Sequence, residues 1–266
     1  NNAIAAGLSS FQMTASAQLA RSQARGIEAK PTASAKKKPK AVEASDARGM
    51  HHQGFDLARH KTKSKPTGRM RPKDRPLAND FVSDEAFGEM LLAWFGNLSR
   101  VLLPGRSFYI WGGYANVANY PAALKASGLY FSQAVIWVKE HPVLTRKDFM
   151  GNHEWCFYGW REGAGHKFFG PSNAVDVWAV KKVNPQSMVH LTEKPVELAE
   201  RAIGYSSQAG EHVLDLFGGS GSTLIGCERT GRRAFLMELD PAYCDVIVRR
   251  WEQFTGRQAE GWRGHA

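Results

Sequence analysis

The chain has 266 residues, 43% of them hydrophobic, with eight tryptophans and a formal net charge of +10. That length holds one domain of moderate size with a core of its own plus something extra, while no apolar run is long enough for a membrane helix and no secretory leader is visible. The charge is lopsided, since residues 1–75 carry 16 Lys+Arg against 5 acids and the rest 19 against 20; this places a polyanion-binding function in the N-terminal quarter rather than in the fold, although a solvated tail carries the same signature.

Residues 1–50 are rich in Ala, Ser, Lys and Gln, and "KPTASAKKKPKAVEAS" predicts linker or disorder. Residues 54–78 stay basic and proline-punctuated, as a long loop would. Order is predicted from Asn79. Ser83 is placed to cap a helix with Asp84 and Glu85 in its first turn, and Phe87, Met90, Leu91, Trp94, Phe95 and Leu98 then share one helical face. "SFYIWGG" reads as a buried strand, Tyr120–Ser127 as a helix, and "YFSQAVIWVK" and "EWCFYGW" as strands. Val196–Ser206 predicts a helix, "HVLDLF" a strand, Gly221–Thr230 a helix and "RAFLMEL" a strand. A last helix spans Pro241–Phe254 with proline at its first position and Tyr243, Val246, Ile247, Trp251 and Phe254 as its stripe. Strands alternating with helices predict an α/β fold, a parallel sheet with helices on both faces. Cys156, Cys227 and Cys244 lack metal-ligand spacing, which predicts reduced thiols, no metal and a cytoplasmic protein.

"VLDLFGGSGSTLIG" (Val213–Gly226) is the stretch with chemistry in it. A phosphate-binding loop needs Lys after the last glycine, where Ser222 stands, so that reading fails. The dinucleotide fingerprint finds Gly219 and Gly221 but meets Leu224 at its third position. S-adenosylmethionine carries no phosphate; it needs a close-approach glycine turn and a carboxylate for its ribose. Glu238, 23 positions after Asp215 at the end of the next strand, is that carboxylate, while Asp240 is better placed to cap the helix at Pro241. The plain alternative is that Gly218, Gly219 and Gly221 only tighten a strand-to-helix turn.

The succession "HLTEKPVEL", "VLDLFGGSGSTLIG", "FLMELDPAYCDVIVRRW" resembles the amino-group DNA methyltransferases of the permuted β class, from about Asn79 to Gly256. Leu191 and Leu216 replace family prolines and Ser222 a threonine. The resemblance implies a Rossmann-like S-adenosylmethionine-dependent methyltransferase acting on adenine N6, favoured over cytosine N4, in double-stranded DNA. It also implies a cofactor pocket of Thr192, Lys194, Pro195, Asp215, Phe217, Gly219, Ser220, Gly221, Thr223 and Glu238. Lys139, Arg146, Lys147 and His153 fall where the family flanks its target base, and are candidates for DNA phosphate contacts or for ordinary surface charge.

The family activates the amino nitrogen with an Asp-Pro-Pro-Tyr tetrad, and no such tetrad occurs in this chain. "MHHQGFDLARHKTKSKPTG" occupies its expected place, with His52, Gln53 and Gly54 ahead of Phe55 and Asp56, the catalytic candidates. The expected organisation is a basic arm over 1–53, disordered or foreign to the domain. A methyltransferase domain follows over 54–258, with its target half in 54–185 and cofactor half in 186–258, then a tail over 259–266. Three readings stay open: an active enzyme, a remnant that binds cofactor or DNA only, and a truncated or misjoined frame, the opening on Asn1 favouring the last over the second.

Overall fold

The computed structural model describes residues 83–113, 116–143, 148–184 and 193–262, with the backbone of residues 5–6. The described elements run, in chain order, β1 (Ala5–Ala6), α1 (Asp84–Val101), β2 (Ser107–Gly112), α2 (Asn119–Ala126), β3 (Leu129–Val143), β4 (Gly151–Arg161), β5 (Val177–Ala179), α3 (Val196–Ser206), β6 (His212–Asp215), α4 (Ser222–Thr230), β7 (Arg233–Leu236) and α5 (Pro241–Thr255). The strands form one sheet in the order β5-β3-β4-β2-β1-β6-β7.

Local chemistry fixes the helix ends. Ser83 Oγ accepts from Ala86 N at 3.2 Å, with Asp84 and Glu85 in the first turn of α1. Asp240 Oδ1 accepts from Ala242 N at 3.0 Å, and Pro241 opens α5 where its missing N–H costs nothing. Gly231 and Gly256, both in the left-handed region, end α4 and α5. In α1, Phe87, Leu91, Phe95 and Leu98 line the buried face. Each contributes about 1.5–3 kcal/mol by leaving water, so packing outweighs the few tenths that helix propensity supplies per residue.

Helices cover the sheet on both faces. α1 and α2 pack on Phe108, Ile110 and Phe157, around the stacked pair Tyr120–Phe157 at 4.5 Å. The opposite face buries Tyr109, Trp111, Trp137, Cys156 and Val213 against Leu198, Ala202 and Ile203 of α3 and Cys227 of α4. Cys156 and Cys227 are free thiols in this layer, and burial pushes Cys227 up to about 12.

One feature departs from the sequence expectation. The sheet is mixed, not parallel: β4 runs antiparallel to both β2 and β3, while the other pairs are parallel. Only residues 144–150 separate β3 from β4, too few for the crossover that a parallel pair requires. The two-residue β1 sits in the middle of the sheet. Ala5 and Ala6 pair with Phe108 and Tyr109 on one side and with Leu214 and Asp215 on the other. No helix of the described residues is long and apolar enough to cross a membrane.

Candidate functional site

The carboxyl end of β6 opens into the glycine turn. Asp215 is 3% exposed, and both of its oxygens are engaged: Oδ1 accepts from Phe217 N at 3.0 Å and Oδ2 from Thr223 Oγ1 at 2.6 Å. Burial raises its carboxyl to about 7 against the opposing pull of those two bonds. Asp215 therefore braces the turn from inside. Gly219 and Gly221 take φ of 54° and 80°, the left-handed region that side chains avoid. A Cβ on Gly218 would lie 2.9 Å from Ile247 Cδ1 and one on Gly221 3.2 Å from Ile247 Cγ2. The glycines thus allow α5 to close directly on the turn.

At the neighbouring strand tip, Glu238 Oε2 accepts from Gly219 N at 2.8 Å and Oε1 from Asp240 N at 3.0 Å. A carboxylate stands against the turn at the end of β7, as the spacing from Asp215 predicts. Leu239 beside it is 72% exposed, an apolar group held in water at the site's rim.

The segment before α3 closes the other side. Arg250 of α5 pairs with Glu193 at 2.9 Å and donates to Ser220 O and Oγ at 3.0 Å, tying that segment to the turn. Ser222 Oγ donates to Lys194 O at 2.7 Å. The Lys194 ammonium lies 3.3 Å from Glu154 Oε2 and over the Trp111 ring. Burial pushes the Glu154 carboxyl up, but Lys194 and then Lys139 pull it down further, to about 2.

The structure brings Lys194, Asp215, Phe217, Gly219, Ser220, Gly221, Thr223 and Glu238 together around one turn. Phe217 meets Trp94 of α1 edge to face at 4.9 Å, and Pro195 stands at the N-cap of α3. Thr192, Arg146, Lys147, Phe55 and Asp56 lie outside the described residues. Lys139, a candidate for DNA phosphate, is 9% exposed and pairs with Glu154 at 2.6 Å, on the inward face of β3 that it shares with Val135 and Trp137. His153 is half-buried, its Nδ1 3.3 Å from Asn152 Oδ1. Glu154, Trp111 and Arg250 were not singled out from sequence. An acid within the apolar run "EWCFYGW" is the one signal that pointed to the first.

A profile of the DNA methylase family matches residues 73–249 of the chain. The chain belongs to that family. It is 26% identical over 174 residues to the Type II methyltransferase M2.DpnII of Streptococcus pneumoniae, covering 60% of this chain and 65% of that one. The chain spans less than two thirds of the length of the curated relatives it matches. Among solved structures it shares its fold with M1.HpyAVI in complex with S-adenosylmethionine, at a TM-score of 0.57 and 22% identity over 63% of this chain and 84% of that chain. It also shares it with the cytosine-N4-specific PvuII DNA methyltransferase, at a TM-score of 0.56 and 16% identity over 74% and 78%.

Proposed function

We propose that the chain binds S-adenosylmethionine at the Asp215–Thr223 turn and methylates a base amino group of double-stranded DNA, adenine N6 rather than cytosine N4. The observation that carries the reading is the Glu238 carboxylate held against Gly219 at the tip of β7, beside the turn that Asp215 braces. The residues fit this cofactor. Glu238 supplies acceptors for a ribose diol, exposed Leu239 an apolar surface for an adenine ring, and Lys194 a cation for a carboxylate. No phosphate-binding lysine follows the glycines, in keeping with a ligand that has none.

When bound, the cofactor supplies an electrophilic methyl on a sulfonium. The chain's own part is to fix the ligand's two ends: Glu238 at the nucleoside, and the Lys194 side of the turn at the amino acid. Gly219 and Gly221 keep the backbone between them bare of side chains, so that a ligand can approach it closely. A base amino group is a weak nucleophile whose lone pair is delocalised into the ring, and it needs hydrogen-bond acceptors at the carboxyl edge of the sheet. His52–Asp56, the candidates for that task, are assigned it on the family resemblance alone. The basic residues of the N-terminal quarter add salt-sensitive, sequence-independent affinity for the duplex.

The test is transfer of labelled methyl from S-adenosylmethionine to unmethylated duplex DNA by the full chain, with cofactor binding followed on the same sample and the modified base mapped. Label on adenine N6 supports the reading in full, and label on cytosine N4 corrects the base. Bound cofactor without transfer leaves a binding protein, and absence of both overturns the reading.

A further inference from the structure

A cavity of about 250 Å³ opens beside the carboxyl end of α3. Five aromatic rings line it: Tyr109 of β2, Tyr158 of β4, Phe168, Trp178 of β5 and Tyr205 of α3. They meet in a continuous wall, Tyr158 to Tyr109 at 4.9 Å, Tyr109 to Trp178 at 6.2 Å, Trp178 to Tyr205 at 6.1 Å and Tyr205 to Phe168 at 5.7 Å. The wall turns a corner at Tyr205, whose ring stands at 89° to Trp178 and 66° to Phe168. Tyr109 and Tyr158 pair their hydroxyls with Ser206 Oγ and His166 Nε2, each at 2.8 Å, so what they offer a ligand is chiefly their rings. Phe169 N donates to Tyr205 O and Ile136 N to Asp176 O, both at 2.7 Å, which pins the segment between β4 and β5 to α3 and to β3. Among the described residues that line the cavity, exposed Asp176 alone carries a formal charge.

We propose that this cavity binds a small quaternary ammonium ion, its methyl groups against the aromatic wall and its charge balanced by Asp176. Aromatic rings carry a negative face and attract a cation that has no hydrogen bond to give. An anion would be repelled by Asp176, and an uncharged molecule would draw nothing from it. The volume falls below the roughly 300–1,000 Å³ of sites for drug-sized ligands, which suits a group the size of a trimethylammonium head. Trp178 already attracts one cation: the Arg201 guanidinium lies 5.4 Å from its ring centre, with its own charge met by Glu197 at 2.8 Å. The cavity is separate from the glycine turn. Lys194 and Pro195 stand at the start of α3 and the cavity at its end, about 16 Å away along a helix of 11 residues.

The test titrates two ligands into the full chain by calorimetry: choline, and its uncharged analogue in which a tert-butyl group replaces the trimethylammonium. Choline should bind about tenfold more tightly or better, the worth of two or more cation–π contacts, and excess S-adenosylhomocysteine should leave its affinity unchanged. Asp176→Asn, at an exposed position, should weaken choline by about two- to fivefold and leave the analogue as it was. Phe168→Leu, which keeps an apolar side chain at the rim, should weaken choline by about fivefold, one ring's share. Equal affinity for the two ligands overturns the cation, and no binding of choline by the folded native chain overturns the site. Displacement of choline by S-adenosylhomocysteine puts it at the glycine turn and overturns the site as well. An affinity for choline undiminished in both variants overturns its assignment to this cavity.

Discussion

Replacing Asp215 by Asn should change how stability responds to pH. The native carboxyl titrates near 7, against 3.8 for an ordinary aspartate. Folding therefore favours the protonated form. The stabilisation is fully present below about pH 4, where the group is protonated in both states, and is lost as pH rises through 7. With about 1.4 kcal/mol for each pH unit of separation, the loss totals about 4 kcal/mol, of which about 2–3 kcal/mol falls between pH 5 and 8. Asparagine has no proton to release. Its carbonyl oxygen accepts from Phe217 N as Oδ1 does, and its amide donates to Thr223 Oγ1, reversing the direction of that bond. Urea unfolding of both proteins at pH 5, 6, 7 and 8 should show the native chain losing about 2–3 kcal/mol relative to the Asn variant across that range. Parallel curves would refute the reasoning, since they would mean that Asp215 ionises alike in the folded and unfolded chain.

Two further substitutions probe the same turn. Gly221→Ala places a Cβ at φ of 80° and 3.2 Å from Ile247; it should cost about 1–2 kcal/mol from the left-handed backbone alone, read by urea unfolding, and weaken S-adenosylhomocysteine binding on the same sample. Arg250→Met removes the pairing to Glu193, whose side chain is 5% exposed, and two bonds to Ser220. A loss of about 1–3 kcal/mol is expected by the same method, together with a smaller rise in melting temperature on adding S-adenosylhomocysteine.

What was readable in sequence follows from how locally each element is specified. Ser83, Asp240 and Pro241 announce helix ends because capping is settled within three residues. The turn was readable because Asp215 and its glycines, 218, 219 and 221, fall within seven residues, and Glu238 follows at one strand's distance. β5 and β1, of three and two residues, are too short to show any period. The direction of β4 was hidden because an apolar run reads alike either way, and only the short connection to β3 decides it. Glu154 escaped for a different reason. Inside a strand an acid reads as a solvated position, and what makes it a buried anchor is the arrival of Lys139 and Lys194 from elsewhere. Arg250, one of two adjacent arginines on α5, is marked out only by the turn it reaches.

The place of β1 bears on how the chain is made. Ala5 and Ala6 leave the ribosome well before the strand on one side of them, β6, which emerges roughly 200 residues later. At synthesis rates of 5–20 residues per second that is a wait of about 10–40 s. β2, "SFYIWG", is complete about halfway through that wait, and until β6 arrives the edge of β1 that faces β6 has no partner strand. Such an edge is a template for pairing with another chain. The period between completion of β2 and arrival of β6 is thus when the nascent protein is most exposed to mispairing, and slowing translation over that interval should raise the insoluble fraction.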